Sequence, residues 1–111
     1  MAIEGAIGVA LVDYESGMSL GTLGGGHDLD LEVAGAGNTE VVRAKVRTLE
    51  SLAIDDSIED ILITLRGQYH LIRLMDRGHG RLFLYLALGR ERANLALARH
   101  RLRRIESELS V

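Results

Sequence analysis

Four histidines are the side chains in this 111-residue sequence best suited to acid–base chemistry or metal binding. They are His27, His70, His79 and His100. No two of them are four residues apart and no H-E-x-x-H motif occurs, so their spacing does not predict a metal site. His70 fits a packed or surface position in a strand. His27 and His79 lie in glycine-flanked turns, where a minimal enzyme using a turn histidine or aspartate stays open as an alternative.

Two glycine-rich segments resemble phosphate-binding loops without completing either motif. Gly24–Gly26 precedes a predicted helix, and helix N-termini bind anions. No Lys-Ser/Thr pair follows it as a P-loop requires, and Asp28, Asp30 and Glu32 would repel a phosphate. Gly35–Glu40 begins like a dinucleotide fingerprint but ends in glutamate and follows no strong strand. We therefore expect no nucleotide and no other cofactor.

Nucleophilic and paired-carboxylate catalysis are also without a clear motif. The serines considered as nucleophiles are Ser16, Ser19, Ser51 and Ser57. None of them lies in a G-x-S-x-G sequence. The sequence has no cysteine, which excludes disulfides, iron–sulfur clusters and thiolate chemistry. The acidic pairs Asp55-Asp56 and Glu59-Asp60 fall in or beside a predicted loop, where solvation explains them. The sequence predicts that the protein is not an enzyme.

Composition indicates one ordinary domain whose core is poor in aromatic residues. Hydrophobic residues make up 47% of the chain and aromatic residues 4%, so Leu, Ile, Val and Ala must form the core. The net charge is −3, with 12 acidic and 3 basic residues in residues 1–60 and a basic C-terminal part. The two parts could attract each other within or between subunits. A solvated helix face explains the basic part, so we expect no nucleic-acid partner.

Targeting signals are not found in the sequence. The start, Met1–Glu4, has no basic region or cleavage pattern, and no apolar run approaches the ~20 residues that span a bilayer. We expect a cytoplasmic protein without membrane insertion. The basic residues are 12 arginines and one lysine, which suggests a GC-rich bacterial genome.

Hydrophobic periodicity and turn residues predict five strands and two helices. Alternating apolar residues predict the strands, and apolar residues three and four apart predict the helices. The predicted strands are Gly5–Asp13, Met18–Leu23, Ile58–Arg66, Tyr69–Met75 and Arg81–Leu88. One helix begins at about Leu29 with Asp28 as N-cap and carries an apolar stripe to Leu52; the other ends at about Leu109. The predicted class is α/β (α+β), a five-stranded mostly antiparallel sheet with the order β-β-α-β-β-β-α in a domain spanning residues 5–109.

An edge strand and a glycine-bearing helix point to self-association. The run Ile58–Leu65 has few charged residues and no proline, so at a sheet edge it invites pairing with a second copy. Gly35 and Gly37 are unusual inside a helix, and close packing against another backbone, or a kink, would explain them. We therefore predict a homodimer. The predicted interface residues are Gly35, Gly37, Val41, Val42, Ile61, Ile63 and Leu65.

The order of these elements resembles the roadblock/dynein light chain domain. The resemblance is carried by IGVALVDYESGMSL (Ile7–Leu20), the small residues of the first helix, EDILITLRGQYHLIRLM (Glu59–Met75) and RLFLYLALGRERANLALARHRL (Arg81–Leu102). It implies a roadblock/profilin-like two-layer domain that dimerises through a continuous sheet. It also implies a regulatory or scaffold role beside a Ras-like small GTPase, with no catalytic residues.

One departure from the family concerns the start of the chain. The family usually has a helix before the first strand, whereas four residues precede Gly5 here. We expect that helix to be missing or truncated, which would leave one face of the sheet less covered. A small-molecule sensor and a general protein-interaction module are the alternative functions.

Overall fold

Five strands and two helices follow one another in the predicted order. The computed structural model describes residues 3–26, 29–75 and 81–108. The strands are β1 (Ala6–Asp13), β2 (Met18–Gly24), β3 (Asp60–Thr64), β4 (Gln68–Leu74) and β5 (Leu82–Gly89), and the helices are α1 (Leu31–Ser51) and α2 (Leu95–Glu108). All strand pairs are antiparallel. The predicted fold class is therefore confirmed.

The sheet has the strand order β2-β1-β5-β4-β3. β5, the last strand in the chain, lies at the centre between β1 and β4, and residues 82–88 are all buried. The prediction that this strand is central and covered on both sides is confirmed. β2 and β3 form the two edges of the sheet, and β3 is the strand that the sequence suggested as an edge.

The side chains of β5 divide the core into two clusters on opposite faces of the sheet. Leu84 and Leu86 pack in one cluster with Leu102 of α2. Phe83 and Tyr85 pack in the other cluster, which includes Val42 of α1. Because successive strand residues point to opposite faces, α1 and α2 lie on opposite sides of the sheet. The domain thus has three layers, which corrects the expected two-layer arrangement.

Each helix covers a different half of the sheet. α1 runs along β1 and β2, and Gly35 brings it close to Val12 and Ser19. On the opposite face, two ion pairs hold α2 near β3 and β4. They join Arg73 to Glu106 at 2.9 Å and Arg99 to Asp60 at 3.2 Å. The α1 face is therefore less covered near β3, and the α2 face is less covered near β2.

α1 begins later than the sequence suggested. Its N-cap is Asp30, whose carboxylate accepts hydrogen bonds from the backbone N–H groups of Glu32 and Val33. The expected cap, Asp28, lies outside the described residues. The most buried positions of the helix are Leu31, Gly35, Thr39 and Val42.

Candidate interaction surfaces

The described residues offer no metal site. Within residues 3–26, 29–75 and 81–108, no group of three His, Asp or Glu side chains could hold a metal ion. His100 is exposed on α2. The two histidines expected in turns, His27 and His79, lie outside the described residues.

His70 is held in a hydrogen-bonded group on the α1 face. Its Nε2 lies 2.7 Å from Oε1 of Gln68, and its Nδ1 lies 3.2 Å from the hydroxyl of Tyr85. Because an amide oxygen only accepts, Nε2 carries the proton and Nδ1 accepts from Tyr85. Burial lowers the pKa of His70 below its ordinary value and raises that of Tyr85. The neutral imidazole fits its surroundings and has a structural role.

The open edge of β3 presents unpaired backbone groups. Leu74 N–H donates to the Glu59 carbonyl, and Leu65 N–H donates to the Gln68 carbonyl. In an antiparallel pair, the residues that bond to the neighbouring strand alternate with those that point away. Ile61 and Ile63 therefore bond to β4, whereas the N–H and C=O groups of Leu62 and Thr64 point outwards. These outward groups can pair with another strand.

The predicted interface residues of β3, Ile61 and Ile63, lie on the α1 face of this edge. Ile61 and Ile63 pack at the margin of the α1-face cluster and are half-buried. Leu62, which the sequence did not single out, packs on the α2 face. Leu65, just after the strand, is 42% exposed. The edge therefore has apolar side chains beside its free backbone groups.

Two of the predicted interface residues on α1 instead pack within their own subunit. A Cβ at Gly35 would lie 2.9 Å from Ser19 Oγ and 3.2 Å from Val12 Cγ2, so the close approach is to the chain's own sheet. Val42 is fully buried in the core. Gly37 is exposed with open space around it, and Val41 is 37% exposed. Of the four α1 residues, only Gly37 and Val41 present a surface to a partner.

The acidic pairs lie in or beside the segment between α1 and β3, as expected. Asp55, Asp56 and Glu59 are exposed there. Asp60 opens β3 and pairs with Arg99 of the basic C-terminal helix. One ion pair between the acidic and basic parts of the sequence thus forms within the subunit.

Comparison with solved structures identifies the fold. MglB of Myxococcus xanthus is 17% identical with a TM-score of 0.80, and the match covers 93% of this chain and 73% of that chain. A Roadblock/LC7 domain from Streptomyces avermitilis is 12% identical with a TM-score of 0.78, covering 96% and 83%. MglC of Myxococcus xanthus is 22% identical with a TM-score of 0.55, covering 96% and 89%.

At these identities the likeness establishes the architecture, and the chain has the roadblock fold that its sequence resembles. No protein-family model matches the sequence. No curated protein matches it significantly. Neither described helix combines the length and apolar character needed to cross a membrane.

Proposed function

We propose that this protein is a non-enzymatic, homodimeric regulator or scaffold for a Ras-like small GTPase in the bacterial cytoplasm. The observation that carries the proposal is the open, largely apolar edge of β3 in a domain with the roadblock fold. The resemblance of the sequence to the roadblock family supports the GTPase partner.

In the proposed dimer, two β3 strands pair antiparallel across a two-fold axis. The outward N–H and C=O groups of Leu62 and Thr64 would then find partners in the second copy. Ile61 and Ile63, which α1 leaves half-buried, would lie beside the same residues of the other subunit. Gly37 and Val41 would form the helix contribution on the same face of the sheet.

Thr64→Pro tests the dimer with little effect on the subunit. The N–H of Thr64 points away from β4, so proline removes a donor that only a second copy would use. The Thr64 side chain is exposed, so its loss leaves no cavity. Light scattering should find a dimer for the wild type and for Thr64→Ala, and a folded monomer for Thr64→Pro.

The dimer proposal is wrong if the wild type is monomeric at micromolar concentration. It is also wrong if Thr64→Pro remains fully dimeric while its circular dichroism matches that of the wild type. Ile63→Pro serves as a contrast, because it removes a hydrogen bond to β4 and should destabilise the subunit itself.

The GTPase partner is tested with the organism's own Ras-like GTPases, beginning with any encoded beside this gene. Each is loaded with GDP or with a non-hydrolysable GTP analogue and titrated against the full chain by biolayer interferometry. We expect binding that depends on the bound nucleotide, or a change in the rate of GTP hydrolysis. If no Ras-like GTPase binds and none changes its rate, the GTPase role is overturned, whatever the oligomeric state.

A further inference from the structure

We propose that the α2 face of the β1–β2 hairpin is a docking groove for an amphipathic, acidic-flanked helix of a partner protein. This surface lies at the opposite edge of the sheet from β3 and on the opposite face from α1. The inference therefore does not depend on the proposed dimer, and the two can be tested separately.

The floor of the groove is an exposed apolar surface on β2. Ser19 points towards Gly35 of α1, so its neighbour Met18, which is paired with Asp13, points to the α2 face. Leu20 lies at a shift in the register of β1 and β2. Leu23 is paired with Val9, which packs in the α2-face cluster. Met18, Leu20 and Leu23 are 66%, 56% and 61% exposed. Met18 and Leu23 are thus two large, exposed apolar side chains on one face of a seven-residue strand, and they mark a contact surface rather than scattered exposure.

Leu23 lines a groove of about 270 Å³ between β2 and α2. Val9, Leu11 and Leu84 line its floor, and Ile105 of α2 lines its wall. β2 has no charged residue, and β1 has only Asp13 at its end. The groove is thus apolar along its length and continuous with the α2-face core.

The width of the open surface fits a helix. The ion pairs Arg73–Glu106 and Arg99–Asp60 hold α2 over the far half of the sheet. Two neighbouring strands span about 10 Å, which is close to the packing diameter of an α-helix. The floor consists of side chains and not of free backbone groups, so it suits an apolar helix face rather than an added strand.

The charge of the wall specifies an acidic partner. At about 100° per residue, Arg101 and Arg104 lie about 200° and 140° around α2 from Arg99, on the flank away from β3. Both are exposed. Arg104 contacts Glu108 at 3.7 Å, and Arg101 forms no ion pair with a described residue. A partner helix with glutamate or aspartate along that flank would pair with this wall, whereas a basic helix would be repelled.

A second copy of this chain is a poorer occupant than an acidic helix. Its own exposed helix is α2, which has four arginines and two glutamates. Docking that helix beside the α2 of another copy would bring two basic flanks together. Charge therefore favours a different protein.

A designed helical peptide tests the groove directly. The probe is an 18-residue fluorescein-labelled peptide with leucines along one face and glutamates beside them; the control peptide has lysines in place of the glutamates. Fluorescence anisotropy with the full wild-type chain should show saturable binding of the glutamate peptide, at least tenfold tighter than the lysine peptide. Leu23→Glu should weaken that binding at least tenfold, and Arg101→Glu should reverse the preference between the two peptides.

Thr64→Pro provides the matched control, because it alters the β3 edge and leaves the groove intact. It should bind the glutamate peptide as the wild type does, whether or not the dimer exists. The proposal is overturned if both peptides bind equally, or if Leu23→Glu and Arg101→Glu leave binding unchanged. It is also overturned if light scattering shows that the groove joins two copies, through an assembly that Leu23→Glu dissociates.

Discussion

The contact between Gly35 and Ser19 shows how single residues set the distance between α1 and the sheet. The Ser19 hydroxyl is buried and has no hydrogen-bond partner among the described residues. A buried, unsatisfied polar group costs roughly 1–3 kcal/mol. Ser19→Ala should therefore raise the free energy of unfolding by about 1 kcal/mol. Urea denaturation at a fixed protein concentration measures this, and a loss of stability would contradict it.

Gly35→Ala should couple to that change. In a helix interior alanine is favoured over glycine by about 1 kcal/mol, but here the new Cβ would meet Ser19 Oγ. In the wild type, we expect Gly35→Ala to leave the free energy of unfolding unchanged or to lower it. In the Ser19→Ala background, the same substitution should change the free energy of unfolding more favourably. A double-mutant cycle measures the interaction energy between the two sites, and strictly additive effects would show that they do not interact.

His70 makes stability depend on pH in a defined direction. Burial lowers its pKa in the folded state below the ordinary value of 6.5. As pH falls below that value, the unfolded chain takes up a proton that the folded chain resists, so folding stability decreases. Stability measured by urea denaturation should fall more between pH 7.5 and pH 5.5 for the wild type than for His70→Gln. Equal losses in both proteins would exclude this contribution.

At the scale of elements, α1 depends on its cap. The Asp30 carboxylate accepts from the N–H groups of Glu32 and Val33, which otherwise have no partner in the first turn. Asp30→Ala should lower the free energy of unfolding by about 1 kcal/mol. Asp55→Ala, which changes an exposed carboxylate beyond the helix, is the matched control. The prediction fails if both variants have the same melting temperature.

The elements themselves follow closely from the sequence, and their details less so. Apolar residues on both faces of the last strand predicted a central strand, because such a strand must be covered on both sides. Periodicity alone could not choose between Asp28 and Asp30 as the cap. It also favoured apolar residues for the buried stripe of α1 and did not identify Gly35 and Thr39. Those two are buried because the helix approaches β1 closely, which depends on tertiary packing.

At the scale of the whole molecule, the sequence could not predict which helix covers which face. Both faces of the central strands are apolar, so either arrangement of α1 and α2 satisfies the pattern. The helices cover different halves of the sheet on its opposite faces. That placement depends on contacts between residues far apart in the chain, such as Arg73–Glu106. The same placement leaves the apolar surface of β2 exposed. Its three large residues were visible in the sequence only as a weaker strand.

Self-association of the whole molecule should appear in its thermal stability. A dimer that buries Ile61 and Ile63 is stabilised by mass action, so its melting temperature should rise with protein concentration. Each tenfold increase in concentration is worth about 1.4 kcal/mol per dimer. Calorimetry over a hundredfold range should show this rise for the wild type and not for Thr64→Pro. A wild-type melting temperature independent of concentration would contradict a dimer coupled to folding.

The central position of β5 also has a consequence for the order of folding. The hairpins β1–β2 and β3–β4 are each local in sequence, but β5, which follows both of them in the chain, joins them into one sheet. The two hairpins therefore cannot form one core until β5 has been synthesised. We expect β5 amides, and those of its neighbours β1 and β4, to gain hydrogen-exchange protection together in a late cooperative step. β2, the edge strand away from the proposed dimer contact, should remain the fastest-exchanging part of the sheet.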